Sequence, residues 1–201
     1  MNILHKTSGG VTQVSLEAKQ LSKRIITIRG EITEEVASEF VSKLLELNME
    51  STDEWITVFI TSPGGEIISG LMMYDSIVGS KAPVRVICMG KAYSMGAVLF
   101  ACADERLMLP NGSELMLHQP LLGGRVSGNA SSIKSISDSL LDTKEKMNKL
   151  LAKHTGRTVE EIDQATSFDH YFSPGEAIEF GLCDKVISFA DVVDLAKDVE
   201  V

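Results

Sequence analysis

The chain has 201 residues, 44% hydrophobic and 23% charged, with 19 basic and 28 acidic side chains for a net charge of −9. These proportions describe one globular domain with a sizeable core and exclude a disordered chain. The acidic balance disfavours nucleic acid as the main partner, and no stretch approaches the roughly 20 apolar residues that cross a bilayer, so neither nucleic acid nor a membrane is expected as a partner.

Met1 to Gly10 lacks the apolar core of a signal peptide. Cys88, Cys102 and Cys183 are odd in number and lack metal-ligand spacing. Buried, reduced thiols in a cytoplasmic protein are the expectation. Residues 1–21 read as a flexible N-terminal segment holding His5, and residues 22–201 as one domain.

Residues 24–29 form a short apolar strand pattern. Thr33, followed by Glu34 and Glu35, is an N-cap with acids in the first turn. Apolar residues at Val36, Phe40, Leu44, Leu45 and Leu47 then recur at helical spacing. Trp55–Ile60 is a second strand, Ile67–Ile77 a second helix and Val84–Met89 a third strand, with a further helix beginning near Ser94. Arg106–Leu109 and Glu114–Leu117 are shorter strands. This alternation predicts βαβ units and a largely parallel sheet, hence an α/β fold.

Leu121–Asn129 is a loose stretch with Gly123, Gly124 and Gly128. A long helix follows from about Ser131 to His154, with Thr155-Gly156 as its stop. Such a helix either packs in the core or projects from the body onto another subunit. Ser173-Pro174-Gly175-Glu176 is a capping box with proline at the first helical position, and that helix stops at Gly181.

Ser94, His118 and Asp169 are the residues with chemistry to offer. A serine where a strand turns into a helix exposes its hydroxyl beside unpaired backbone N–H groups, which can hold an oxyanion. The same position suits a plain N-cap. Local sequence leaves the choice open, and Ala92 departs from the strict nucleophile elbow. Thr61-Ser62-Pro63-Gly64-Gly65 is either an ordinary turn or a place where the Gly65 N–H adds a second oxyanion donor. His118 ends a strand, a rigid site for a general base with a pKa of ~6.5. His154 sits at a helix end, where a cation suits the dipole, and His170 neighbours Asp169, although adjacent residues tend to point apart. Asp169 can orient the imidazole, although Asp163 and Asp184 compete on chemistry alone. No cluster suggests a metal and none a cofactor.

Several segments together resemble one family. They are Ser62-Pro63-Gly64-Gly65, Gly70 through Tyr74-Asp75, Ser94-Met95-Gly96-Ala97, Leu109-Pro110-Asn111, His118-Gln119-Pro120, Gly123-Gly124, Thr155-Gly156, and Glu176-Ala177 through Gly181-Leu182 to Asp184. In this order, over about residues 22 to 188, they resemble the proteolytic subunit of the ATP-dependent Clp protease, a serine peptidase of the crotonase-like fold. The resemblance implies Ser94 as nucleophile, His118 as base and Asp169 as its partner. It implies Gly65 and Met95 N–H groups as the oxyanion hole, and substrate binding along Gly123, Gly124 and Arg125. Residues 1–21 would be the axial loop region. The glycine-rich strand and the long helix, about residues 121–155, would form a protruding handle. The family assembles as two stacked heptameric rings fed by a AAA+ unfoldase such as ClpX, ClpA or ClpC, which uses the ATP. Unfolded polypeptides are the substrates.

Some positions depart from that pattern. Phe168 stands where arginine usually precedes the triad aspartate, with Ser167 before it in place of an acid. Tyr93 replaces a small residue beside the nucleophile, Thr57 replaces an aromatic of the docking strand, and the segment up to Ser22 lacks the usual pore-loop pattern. These departures point to a divergent second paralogue, and the rings are either homo-oligomers of this chain or hetero-oligomers with a more typical paralogue. Two rival readings stay open: a structural or activating ring subunit that needs a partner paralogue, and a crotonase-type acyl-CoA enzyme.

Overall fold

Short apolar runs and amphipathic stretches fold into a sheet covered by helices, in a computed structural model that describes residues 1–7, 10–123 and 127–197. The chain begins with a hairpin of β1 (Asn2–Thr7) and β2 (Gly10–Ser15), which the sequence reading does not draw, and α1 (Leu16–Leu21). Next come β3 (Ile25–Arg29) and α2 (Glu34–Glu50), capped by Thr33, whose hydroxyl accepts from Val36 N–H at 3.3 Å. Then follow β4 (Ile56–Ser62), α3 (Ile67–Val78), β5 (Val84–Tyr93), α4 (Met95–Ala101), β6 (Glu105–Met108) and β7 (Glu114–Leu117). The last part holds α5 (Ala130–Thr155), α6 (Val159–Thr166), β8 (His170–Phe172), α7 (Pro174–Phe180), β9 (Lys185–Val186) and α8 (Phe189–Leu195).

β3, β4, β5, β6 and β9 lie side by side, all parallel, as the alternation predicts. β5 serves two neighbours in turn. Its first half, Arg85–Cys88, pairs with β6, and its end, Lys91–Tyr93, pairs with β7. That second ladder extends the strand four residues past the predicted end at Met89. β8 then pairs antiparallel with β7.

The sheet is buried on both faces, but unequally. Val86 and Cys88 belong to the main core beside Phe40, Leu44 and Leu47 of α2 and the wholly buried α4. Ile87, pointing the other way, packs with Leu107, Ile187 and Val192 of α8. Each fully buried aliphatic or aromatic side chain contributes about 1.5–3 kcal/mol. Leu45, predicted on the apolar stripe of α2, is 60% exposed.

α5 has 26 residues, about 39 Å at 1.5 Å per residue. Its buried residues, Met147, Asn148 and Leu151, all lie in the C-terminal half. The first four turns pack little against the rest of the chain, which fits the projecting alternative. Of the glycine-rich segment, residues 121–123 and 127–129 carry no strand, in contrast to the strand expected there; Gly124 and Arg125 lie outside the described residues. Among the described residues no helix is long and apolar enough to cross a membrane.

Candidate active site

Ser94 sits at the junction of β5 and α4 with φ 53° and ψ −121°. A non-glycine residue in such a conformation costs on the order of 1–3 kcal/mol and is held by its surroundings. Here the Ser94 N–H donates to Met116 O at 2.8 Å, and its carbonyl accepts from Ala97 N–H at 3.0 Å. The side chain makes no capping hydrogen bond. Instead Oγ lies 2.7 Å from His118 Nε2. The cap alternative is therefore not realised, because the twist that starts the helix turns the hydroxyl away from the helix N–H groups.

Two glycine features make room for this turn. A Cβ on Gly64 would lie 2.8 Å from Ser94 Cβ and 3.1 Å from Met95 N, so the glycine backbone rests directly on the junction. A Cβ on Gly70 would collide with the Met95 side chain, 2.1 Å from Cγ, so α3 lacks a side chain where Met95 is buried. Gly65 is tied to the body by an isolated parallel bridge with Ile32, in which Ile32 N–H donates to Gly64 O and Glu66 N–H to Ile32 O, each at 2.8 Å. In a trans peptide the Gly65 N–H points opposite to the Gly64 carbonyl, so it faces away from Ile32. The Met95 N–H belongs to the first turn of α4, where no intrahelical acceptor exists. Gly64, next to Gly65, thus rests against the start of α4, where Met95 N–H lies.

His118 follows the last residue of β7, its side chain 15% exposed. Its Nδ1 lies 3.5 Å from Asp169 Oδ1. That is within ion-pair range but longer than an N–H···O hydrogen bond. The β7–β8 register, Leu117 opposite His170, sets His118 opposite Asp169. With Nδ1–H facing the carboxylate, Nε2 is free to accept the Ser94 O–H. Asp169 is itself 59% exposed.

The competing residues are occupied elsewhere. Asp163 pairs with Lys144 at 2.6 Å and accepts from Asn148 Nδ2 at 2.9 Å. The Lys144 hydrogen bond holds its carboxyl below the usual carboxylate range. Asp184 pairs with Arg106. His154 Nε2 and the Tyr74 hydroxyl share a 2.7 Å hydrogen bond. His170 stacks on Phe172 with ring centroids 4.2 Å apart, on the face opposite Asp169. His5 lies on β1. Gly123 is exposed, while Gly124 and Arg125 again fall outside the described residues.

Beside Ser94 a narrow apolar pocket is lined by Ile67, Met95, Val98, Leu117, Met147 and Leu151, with Asn148 and Thr166 as polar members. Sequence reasoning does not single out Asn148 or Thr166. Their only signal is position: Asn148 falls beside Met147 on the buried stripe of α5, and Thr166 ends a helix that the sequence reading passes over. The model of one protein family, described as Clp protease, matches residues 8–190 of the chain.

Proposed function

The chain belongs to the Clp protease family, and from that premise we propose that it is a serine endopeptidase subunit that cleaves unfolded polypeptides through an acyl-enzyme on Ser94. The observation that carries this reading is the 2.7 Å contact between Ser94 Oγ and His118 Nε2, on a backbone turn with positive φ. A serine hydroxyl is a weak nucleophile until a base takes its proton.

In this reading His118 takes the Ser94 proton as Oγ attacks the scissile carbonyl. The oxyanion is held by the Gly65 and Met95 N–H groups. His118 then gives the proton to the leaving amine. Water enters, His118 takes its proton, and attack on the ester releases the acid and restores Ser94. Asp169 holds the imidazole in the tautomer this needs and stabilises its charged form. The pocket below Ser94 receives an apolar side chain of the substrate. No cofactor takes part, and ATP is used by a AAA+ unfoldase partner.

The assembly proposed is two stacked heptameric rings, of this chain alone or mixed with a paralogue. The solvent-facing first half of α5 and the exposed Ile133 and Leu141 on it support a ring contact there. Cytoplasmic location is part of the same proposal.

A second reading is favoured by one observation. The 3.5 Å gap between His118 and Asp169 suits a subunit whose carboxylate closes only beside a partner. Purified protein and its Ser94→Ala variant, each given a short fluorogenic peptide, separate these ideas. Hydrolysis by the wild type alone and none by Ser94→Ala is the expected result. Hydrolysis that survives the substitution would overturn the assignment. A wild type that cleaves only after a paralogue is added would establish the second reading.

A further inference from the structure

The carboxylate of Asp169 is the least constrained member of the proposed triad. Phe168 before it is 86% exposed. On the N-terminal side, the nearest restraints are at Ser167. Its Oγ donates to Asp163 O at 2.7 Å, and its carbonyl accepts from Gln119 Nε2 at 3.2 Å. On the C-terminal side, Asp169 leads into β8, which has three residues and, among the described residues, pairs with β7 alone. Such a short edge ladder is weak by itself.

A row of side chains across the sheet supplements it. Met116 pairs with Tyr93 of β5 on one side and with Tyr171 of β8 on the other. Because side chains alternate along a strand, Tyr171 and Asp169 share a face, as do Met116 and His118. The row Tyr93–Met116–Tyr171 therefore lies one step from the row His118–Asp169. Across it the rings of Tyr93 and Tyr171 meet edge to face, with centroids 5.7 Å apart and planes at 89°. Aromatic pairs of this geometry are worth more than their area alone.

The two rings are not equally held. The Tyr93 hydroxyl donates to Glu114 Oε1, and Lys91 Nζ lies 5.6 Å from the centre of its ring. Lys91 and Glu114 are themselves register partners. Tyr93 is thus clamped by its own sheet, whereas Tyr171 is 49% exposed and has the Tyr93 ring as its aromatic partner.

We infer that Tyr93 and Tyr171 are positioning residues, the clamped Tyr93 ring holding Tyr171 and through it the strand that brings Asp169 to His118. This inference rests on the triad proposed above. It assigns a role to Tyr93, whose bulk beside the nucleophile the sequence leaves unexplained. Tyr93 does not reach the reacting atoms in this role; it acts through Tyr171, then Asp169.

The test is a set of variants in the full-length protein. Tyr171→Ala removes the contact and Tyr171→Phe keeps the ring. Tyr93→Leu removes the same contact from the other side, should Tyr171→Ala fail to fold. Each is read by kcat and KM on a fluorogenic peptide, in the wild-type and Asp169→Ala backgrounds, and by hydrogen–deuterium exchange over residues 167–172. Tyr171→Ala should lower kcat about 10- to 100-fold with KM little changed, since misplacement by about 1 Å costs roughly that much. Tyr171→Phe should restore the rate, and in Asp169→Ala the tyrosine change should add nothing further. A wild-type kcat in both ring-removing variants, or an equal loss with and without Asp169, would overturn the inference. If the wild type proves inactive both alone and with a paralogue, the proposed function fails and exchange alone decides. Faster exchange in Tyr171→Ala but not Tyr171→Phe then upholds the contact, and unchanged exchange rejects it.

Discussion

At the scale of single residues, Ser94 and His154 show how surroundings decide what a side chain does. Ser94 stands where a cap would stand, yet its positive φ and the Gly64 backbone against it direct Oγ to His118. The residue types at this junction are legible in the sequence; the choice between cap and nucleophile is not. It depends on Met116 O and Gly64, both more than 20 positions away along the chain. The resemblance points to the nucleophile where local sequence leaves the choice open. His154 has the opposite fate. A helix C-terminus favours a protonated histidine, but burial, with Lys153 and Arg106 nearby, holds its pKa below the ordinary 6.5.

The sign of that shift sets a prediction. In the folded chain His154 resists a proton that the unfolded chain takes up near pH 6.5. The contribution of this group is therefore constant above that value and is lost as pH falls below it, towards the depressed folded pKa. The carboxylates held low, such as Asp163 and Glu176, begin to act only further down, below the ordinary 3.8 and 4.5. Thermal unfolding followed from about pH 7 to about pH 5 should show a falling Tm in the wild type and a flatter profile in His154→Gln. Identical slopes in the two proteins would mean that His154 does not set this window.

At the scale of elements, helix ends were the most readable feature where a cap pairs with an apolar run. Thr33, Ser173 and Gly181 all behave as expected. α6 is not legible in the sequence although Thr158 and Glu161 form a capping box, because the helix has only eight residues and little apolar content. α8 carries the same signal in Ser188 and Asp191. β8 could not be read at all, since three residues acquire strand character only through β7. The end of β5 is similar: Lys91–Tyr93 continue as strand because β7 lies beside them.

The two left-handed helix ends differ in a way that can be measured. Gly156 has φ 73°, and a Cβ there meets nothing within 4 Å, so Gly156→Ala carries conformational strain alone, about 1–2 kcal/mol. Gly181 has φ 90°, and a Cβ there would fall 2.3 Å from Thr155 O. Gly181→Ala must strain the same dihedral and also separate α7 from the end of α5. Urea denaturation should place Gly181→Ala well below Gly156→Ala in midpoint. Equal midpoints would show that the Thr155 contact relaxes at no cost.

At the scale of the whole molecule, sequence and structure agree on a mostly parallel α/β sheet, and family membership explains why. The alternation of apolar strand and helix patterns predicts the layers, and the ordered motifs carry the family resemblance that the family match over residues 8–190 bears out. Among the described residues, the first half of α5 buries no side chain fully; Met147, Asn148 and Leu151 of its second half are the buried ones. Ile68, Leu121 and Phe168 stand 83%, 71% and 86% exposed. Apolar surface of this kind is what a subunit leaves for its neighbours, in keeping with the ring assembly proposed.

Peptide mapping by mass spectrometry after treatment with a fluorophosphonate asks most directly whether Ser94 is the nucleophile. The adduct should appear on Ser94 and vanish in His118→Ala, where no base remains to take the proton. An adduct on another serine, or one on Ser94 formed as fast without His118, would contradict the proposed chemistry.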